Sequence, residues 1–171
     1  SAAVMAAASN AELQEAVFTL AVQEGVELSA TAIAAVCRTR VLSATCYEDV
    51  YAAEARLRKE LKLDNLGIAA TTTIITKASE FLIKTYAKGD DAMLLKVNQL
   101  RDIVETQIEN DEADAIEPVY VTSLLRGFGV LGKTQDMMRA FRLLQRKTSL
   151  VDHKAYNEVI RWLAHDGNVK S

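Results

Sequence analysis

The chain has 171 residues, with seven glycines, one proline and a net charge of −3. So few turn-forming residues exclude an all-β sandwich or barrel, which needs a turn about every ten residues. The acidic balance excludes nucleic-acid binding by bulk positive charge, so any such binding must use a local patch. Two cysteines cannot form a disulfide framework, and no apolar stretch reaches the length of a membrane span, so we expect none.

Amphipathic segments follow one another along the chain with short breaks, and alanine and leucine, both strong helix formers, are abundant. The pattern predicts an all-α protein of about eight helices, over residues 10–24, 30–42, 46–62, 68–87, 91–108, 118–131, 134–147 and 153–165.

Local signals support these boundaries. Ser9 with Glu12, and Thr45 with Glu48, have the spacing of an N-terminal capping box. Glycines follow four apolar-periodic runs, where a left-handed C-cap residue is favoured; they are Gly25, Gly89, Gly132 and Gly167. The acidic stretch 109–117 is typical of a solvated loop before Pro118. The best strand candidate, residues 118–121, is weak.

Similar residues recur at a spacing of 35. Leu124, Leu125 and Arg126 correspond to residues 159–161, and Gly132 corresponds to Gly167. Thr122 with Asn157, and Ser29 with Asp64, are also 35 apart. A two-helix unit of this length cannot bury its apolar face alone, so such units are expected to stack into an α-α superhelix, or solenoid.

Residues 118–152 together with the start of the next helix resemble a pentatricopeptide repeat. The matching features are Gly132 between the helices, Phe141 in the second helix, the terminal Asp152, and Tyr156 with Asn157 in the next unit. The Trp and Gly-Tyr pattern of the tetratricopeptide class is absent. The resemblance implies one solenoid domain over 1–171, divided into a partial repeat 9–29, a repeat 30–64, a degenerate repeat 65–117 with the acidic loop, a repeat 118–152, and the first helix of a further repeat, 153–171.

The string from Gly127 to Thr134 satisfies both G-x-x-x-x-G-K-[ST] and G-x-G-x-x-G. In a phosphate-binding loop this string follows a strand and opens a helix. Here it follows a predicted helix, and too little chain remains to build a parallel sheet. We therefore expect Gly132 to be a helix C-cap, and a nucleotide-binding enzyme is the least favoured alternative.

Other chemical motifs are absent from the sequence. His153, His165, Cys37 and Cys46 do not have the spacing of a zinc site. The acidic residues 111, 112 and 114 lack the glycine and ligand spacing of a calcium loop. We expect no enzymatic activity, no cofactor and no metal.

Four cations each follow an apolar pair on a predicted first helix, and stacked first helices would place them in a row: Arg38, Lys84, Arg126 and Arg161. Thr122 lies four residues before Arg126, and Asn157 lies four before Arg161, so each pair shares a helical face. A polar side chain beside a cation suits single-stranded RNA, because the former can bind a base edge while the latter binds phosphate. The alternative is a row of ordinary solvent-facing positions.

The resemblance assigns base recognition to particular residues. In pentatricopeptide repeats, one residue early in the first helix and one just before the next repeat read a base together. These correspond here to Thr122 with Asp152, a pair that favours guanine in the family, and Asn157 would be the next reader. The corresponding residues in 30–64 are Ala34 and Asp64, and alanine offers no hydrogen bond.

Two further side-chain sets have alternative interpretations. A basic stripe on the helix over 134–147 could contact ribosomal RNA or an acidic protein, or simply face solvent; its members are Arg139, Arg142, Arg146 and Lys147. The aromatic residues in helical phase are expected mainly to pack between repeats: Phe128, Phe141, Tyr156 and Trp162.

The resemblance implies a single-stranded RNA-binding protein of a mitochondrion or chloroplast. It would act in RNA processing, stability, splicing or translation by binding, without catalysis. The alternative is a helical-repeat scaffold that binds protein subunits of a larger ribonucleoprotein or organellar assembly. The negative charge and the missing base readers favour this alternative.

Overall fold

A computed structural model describes residues 9–170, with side chains described for 9–167. This part of the chain is all-helical and contains no strand, which confirms the predicted class. The eight helices are α1 (Asn10–Gln23), α2 (Ala30–Leu42), α3 (Tyr47–Leu61), α4 (Ile68–Thr85), α5 (Asp91–Glu109), α6 (Pro118–Val130), α7 (Thr134–Lys147) and α8 (His153–Lys170).

Capping boxes were predicted at the N-termini of two helices, at Ser9 and at Thr45. Ser9 forms the predicted capping box with Glu12, accepting from the Glu12 N–H over 3.2 Å. The capping box predicted at Thr45 was wrong. The residue before α3 is Cys46, and Thr45 instead donates its hydroxyl to Asp49 over 2.9 Å.

Two of the four predicted glycine stops are confirmed. Gly25 (φ 68°) and Gly132 (φ 70°) adopt the left-handed conformation that glycine tolerates best. Gly89 does not end a helix, because α4 already stops at Tyr86, which is itself left-handed at φ 54°. Gly167 lies inside α8, which continues to Lys170.

The helices pack mainly against partners one or two places along the chain. α2, α4, α6 and α8 contact one another in succession. The intervening helices α3, α5 and α7 each contact the even-numbered helix before and after them, and α1 contacts α2. The even-numbered helices therefore share a continuous row of contacts, and the predicted RNA-binding residues on helices all lie on them.

Buried charges join neighbouring helices. Glu54 of α3 and Lys96 of α5 are both buried and form an ion pair, and Lys96 also donates to Gln99 over 3.1 Å. Arg40 of α2 bonds Glu15 of α1 over 2.8 Å, and its hydrogen bond lowers the pKa of that carboxyl. Such pairs fix which helices lie side by side, because an unpaired buried charge is costly.

The acidic loop before α6 is mostly exposed, as expected. A single 3-10 turn, Ala113–Ala115, lies within it, and the buried Ile116 attaches the loop to the core. No helix in the described part of the chain combines the length and the apolarity needed to cross a bilayer.

Candidate nucleic-acid interface

Three of the four predicted cations occupy the same position in their helices. Arg38, Arg126 and Arg161 are the ninth residues of α2, α6 and α8. The ninth residue of α4 is Thr76, whereas Lys84 is the seventeenth. The predicted row of four was therefore wrong for Lys84, because α4 begins at Ile68 and Lys84 lies about two turns further along it.

Arg126 forms an ion pair between α6 and α8. Its Nε donates to Glu158 of α8 over 2.9 Å, and the indole N–H of Trp162 donates to the other oxygen of that carboxylate over 3.0 Å. Glu158 is only 6% exposed. The guanidinium therefore neutralises a buried carboxylate and is not free for phosphate.

The predicted base readers also serve local structure. The Thr122 hydroxyl donates to the Pro118 carbonyl over 3.2 Å. Asp152 is half-buried and accepts from the Ala155 N–H over 3.1 Å, which caps α8. Asn157, the fifth residue of α8, is exposed.

Asp64 lies outside the predicted register. It is exposed in the segment between α3 and α4, and its carbonyl accepts from Arg58 over 3.4 Å. The residue directly before α4 is Gly67, not Asp64. The 35-residue spacing from Ser29 therefore misses the start of α4 by three residues.

The glycine-rich string runs from the end of α6, through a turn, into α7. A Cβ on Gly127 would lie 2.6 Å from a methyl group of Val97, and one on Gly129 would lie 2.2 Å from Cγ of Trp162. These glycines let α6 approach α5 and α8 closely. No strand precedes the string in the described residues, so its context is not that of a phosphate-binding loop.

A groove of about 400 Å³ lies at the ends of α4 and α6 and against α8. Its lining combines cations with aromatic rings: Arg161 and Lys88 with Tyr86, Trp162 and His165. Tyr86 is 98% exposed, and the guanidinium carbon of Arg161 lies 5.1 Å from the centroid of the Trp162 ring. Among the five described grooves, this one alone contains a member of the predicted cation row, Arg161.

Tyr86 and Lys88 were not among the residues predicted from the sequence to bind RNA. The signal that could have found them is an aromatic residue between lysines and close to Gly89, at the C-terminal end of the helix predicted over 68–87. An aromatic ring just beyond the last residue of a helix is exposed, because the helix that would hold it against the core has ended. Trp162, in contrast, is buried against α6, as predicted for packing.

The basic stripe lies on α7. Arg139, Arg142, Arg146 and Lys147 are all exposed, and Arg139 makes one long contact of 3.4 Å with Asp136. Two shallow grooves run along this stripe. These side chains are therefore available to an acidic ligand.

Charge is divided unequally along the chain. Residues 118–171 carry nine Lys or Arg against four Asp or Glu, a net +5, whereas residues 1–117 carry eleven against nineteen, a net −8. This asymmetry was readable from the sequence, and it places the excess of positive charge in the part that holds the stripe and Arg161. A block of one sign is a common mark of binding to nucleic acid or to a charged partner.

The described residues contain no group of three or more His, Cys, Asp or Glu that could hold a metal ion. Cys37 is buried, and burial raises its pKa to about 12, so its thiol is protonated at neutral pH. A protonated thiol is a poor nucleophile.

Comparisons with family models, with curated proteins and with solved structures find no match. The resemblance to pentatricopeptide repeats therefore stays a prediction, and the function has to be inferred from the geometry of the side chains above.

Proposed function

We propose that the eight helices form a short α-solenoid of the pentatricopeptide type, which binds single-stranded RNA in a mitochondrion or chloroplast without catalysing a reaction. The groove that gathers Tyr86, Lys88, Arg161 and His165 carries this proposal. Single strands are bound by aromatic rings on which bases stack and by cations that contact the backbone.

A repeated contact between successive helices supports the solenoid. The ninth residue of α4, Thr76, bonds the sixth residue of α6, Ser123, over 2.9 Å. The ninth residue of α6, Arg126, bonds the sixth residue of α8, Glu158. The same pair of positions meets at two of the three interfaces between successive even-numbered helices, α4–α6 and α6–α8, as expected when similar helix pairs stack with a constant rotation.

The mode of binding follows from which side chains are free. Thr122, Asp152 and Arg126 are bonded within the fold, whereas Tyr86, Lys88 and Arg161 are available. We expect stacking and phosphate contacts to dominate over base-edge recognition. Binding should then be weakly dependent on sequence and strongly dependent on salt.

Fluorescence anisotropy with a random-sequence pool of single-stranded RNA tests this proposal. We expect affinity to fall with salt and to drop about tenfold in Tyr86→Asn, since one stacked base is worth about 1–3 kcal/mol. Asparagine tolerates the left-handed backbone at this position, so this variant removes the ring without adding strain. Lys88→Glu should also weaken binding.

The matched control is Lys59→Glu on α3, because Lys59 is exposed and does not line the groove. Its affinity for RNA should equal that of the unsubstituted chain. Failure to bind RNA at low salt, or binding that neither groove variant reduces, would refute the proposal.

A second function, a helical-repeat scaffold for protein subunits of a ribonucleoprotein or organellar assembly, is favoured by the net charge of −8 over residues 1–117. This charge repels RNA from most of the chain. Capture of a protein partner by a chain that binds no RNA would establish this second function.

A further inference from the structure

Three arginines of α7 form a row on the side of the helix that faces away from the core. Arg139, Arg142 and Arg146 are spaced by three and four residues, which places them within about 60° of one another around the helix axis. The row extends about 10 Å along the helix, at a rise of about 1.5 Å per residue. The buried residues of α7 occupy the opposite side: Met137, Ala140, Phe141 and Leu144.

The guanidinium groups of this arginine row are available to a ligand. All three residues are exposed, and Arg142 and Arg146 form no ion pair with any residue whose side chain is described. Arg139 lies 3.4 Å from Asp136 on the surface. An exposed ion pair of this kind contributes little free energy, so it does not prevent Arg139 from binding another anion.

Charge distinguishes α7 from the other odd-numbered helices. It carries four Lys or Arg against one Asp, whereas α1, α3 and α5 each carry more acidic than basic residues. The arginine row is therefore a local feature of one helix in a chain whose net charge is −3.

Lys147 belongs to the basic stripe but not to the arginine row. It is rotated by about 100° from Arg146 around the helix axis. It lines a groove together with four acidic residues: Glu105, Glu109, Asp111 and Asp114. Because these carboxylates repel an anion beside Lys147, we expect the anion-binding surface to end at Arg146.

The surroundings of the row exclude several classes of acidic ligand. The side chains of α7 are all described, and none of its large apolar residues is exposed. The centre of a protein interface is apolar and rich in aromatic rings, and a helix that binds a membrane surface inserts apolar side chains into the lipid. A single strand also needs exposed rings on which its bases stack. The row suits a ligand whose outer surface is uniformly charged.

Charge density favours a duplex over a disordered acidic segment. Double-stranded DNA carries about one negative charge per 1.7 Å of its axis, whereas an extended peptide carries at most one per about 3.3 Å. The acidic segment would also lose conformational entropy on binding, and a duplex is already stiff. In A-form RNA the major groove is deep and narrow, which brings the phosphates of the two strands closer together than in B-form DNA.

We propose that the arginine row of α7 binds the phosphate backbone of double-stranded RNA, with one phosphate at each guanidinium. The planar guanidinium matches phosphate geometry and can donate two parallel hydrogen bonds. Such binding reads no base and is independent of sequence. It does not rest on the single-strand groove, because none of the three arginines lines that groove.

Fluorescence anisotropy with a fluorescein-labelled, blunt-ended RNA duplex of about 16 base pairs tests this proposal. Three phosphate contacts predict that affinity falls about 40-fold as salt rises from about 50 to 200 mM. In Arg142→Gln one contact is lost, and the same rise in salt should reduce affinity only about 12-fold. Replacing all three arginines by Gln should reduce affinity at least about tenfold at low salt. Urea unfolding checks that each variant remains folded.

The matched control is Lys147→Gln, which removes the same charge from the same helix. It should change the affinity for the duplex by less than about twofold, because charges outside the contact are screened by salt. A loss equal to that of Arg142→Gln would mean that net charge alone attracts RNA, which contradicts a defined row.

Competitors test the identity of the ligand. We expect the RNA duplex to bind more tightly than a DNA duplex of the same sequence and more tightly than polyglutamate of the same total charge. Tighter binding of DNA, displacement of the duplex by less polyglutamate than competing duplex, or no binding of the RNA duplex at low salt would each refute the proposal.

The two RNA sites are separable by their variants. Tyr86→Asn should weaken the binding of single strands and leave the duplex unaffected, whereas the triple arginine variant should do the reverse. Loss of single-strand binding in the triple variant to the same extent as duplex binding would refute the assignment of the row to duplex RNA. A parent chain that binds the duplex but no single strand would refute the proposed groove alone.

Discussion

Arg126 and Glu158 lie on successive even-numbered helices and meet side chain to side chain, with Nε 2.9 Å from Oε1. Trp162 binds the second carboxylate oxygen and at the same time packs its ring on Gly129. The buried Glu158 carboxylate thus binds both Arg126 and Trp162, and the Trp162 ring packs on Gly129; together these contacts hold α8 against α6.

Replacing Arg126 by Met should destabilise the chain by about 3 kcal/mol, because Glu158 would stay buried without its counter-charge. Adding Glu158→Gln should recover most of this loss, since the amide is neutral and can still accept from Trp162. Urea unfolding measures both effects. A single variant as stable as the parent would show that the pair contributes nothing to the fold.

Gly129→Ala should destabilise the chain by about 1–3 kcal/mol, because its Cβ would lie 2.2 Å from the indole of Trp162. Gly167→Ala is the matched control, since that position is also helical but has no atom within 4 Å of a Cβ. It should be stabilising by up to about 1 kcal/mol. Thermal denaturation that ranks the two variants in the opposite order would contradict the close approach of α6 and α8.

Lys96→Met alone should cost about 3 kcal/mol, since the buried Glu54 would lose its nearer partner and keep only Arg58, whose Nε lies 3.5 Å from Oε1. The double variant Glu54→Leu with Lys96→Met should regain much of this stability, because neither buried charge remains. Guanidinium unfolding of the two variants provides the comparison. If the double variant were the less stable of the two, the pair would be contributing net stability.

The stability provided by Asp90 should depend on pH. The Tyr47 hydroxyl donates to its Oδ1 over 2.7 Å and lowers the pKa of this carboxyl, and the Met93 N–H donates to the same oxygen. Because the folded-state pKa lies below the ordinary 3.8, the contribution is complete above pH 3.8 and is lost as pH falls through the folded value.

Unfolding of Asp90→Ala and the parent at several pH values tests this dependence. The stability difference between them should be largest near neutral pH and should shrink in strong acid. A difference that grows as pH falls below 3.8 would have the wrong sign for a carboxylate stabilised by a hydrogen bond.

The order and type of the helices were predictable because each helix carries its own apolar periodicity and, in several cases, its own cap. Ser9 with Glu12 and Gly132 are local signals, and they were read correctly. The prediction that the last helix ends at Gly167 was wrong, since a glycine with open space around it is tolerated inside a helix.

The site was less predictable, because it depends on which side chains are already bonded to other helices in the folded chain. Arg126 and Arg161 are equivalent in sequence position, yet one neutralises a buried acid and the other is exposed. Glu158 decides the difference, and no periodicity reveals that it meets α6. Lys84 does not belong to the row because α4 begins at Ile68, which makes Lys84 its seventeenth residue, eight positions beyond the ninth.

Each helix packs mainly against helices one or two places away in sequence, and this arrangement affects both the folding and the unfolding of the chain. Its contacts are local in sequence, so little loop-closure entropy is lost on the way to the native state, and folding should be fast for a chain of this length. α1 is held mainly by α2 alone. Its amide protons should therefore exchange with deuterium before those of α4 and α6, and cooperativity should decline from the centre of the chain toward its first helix.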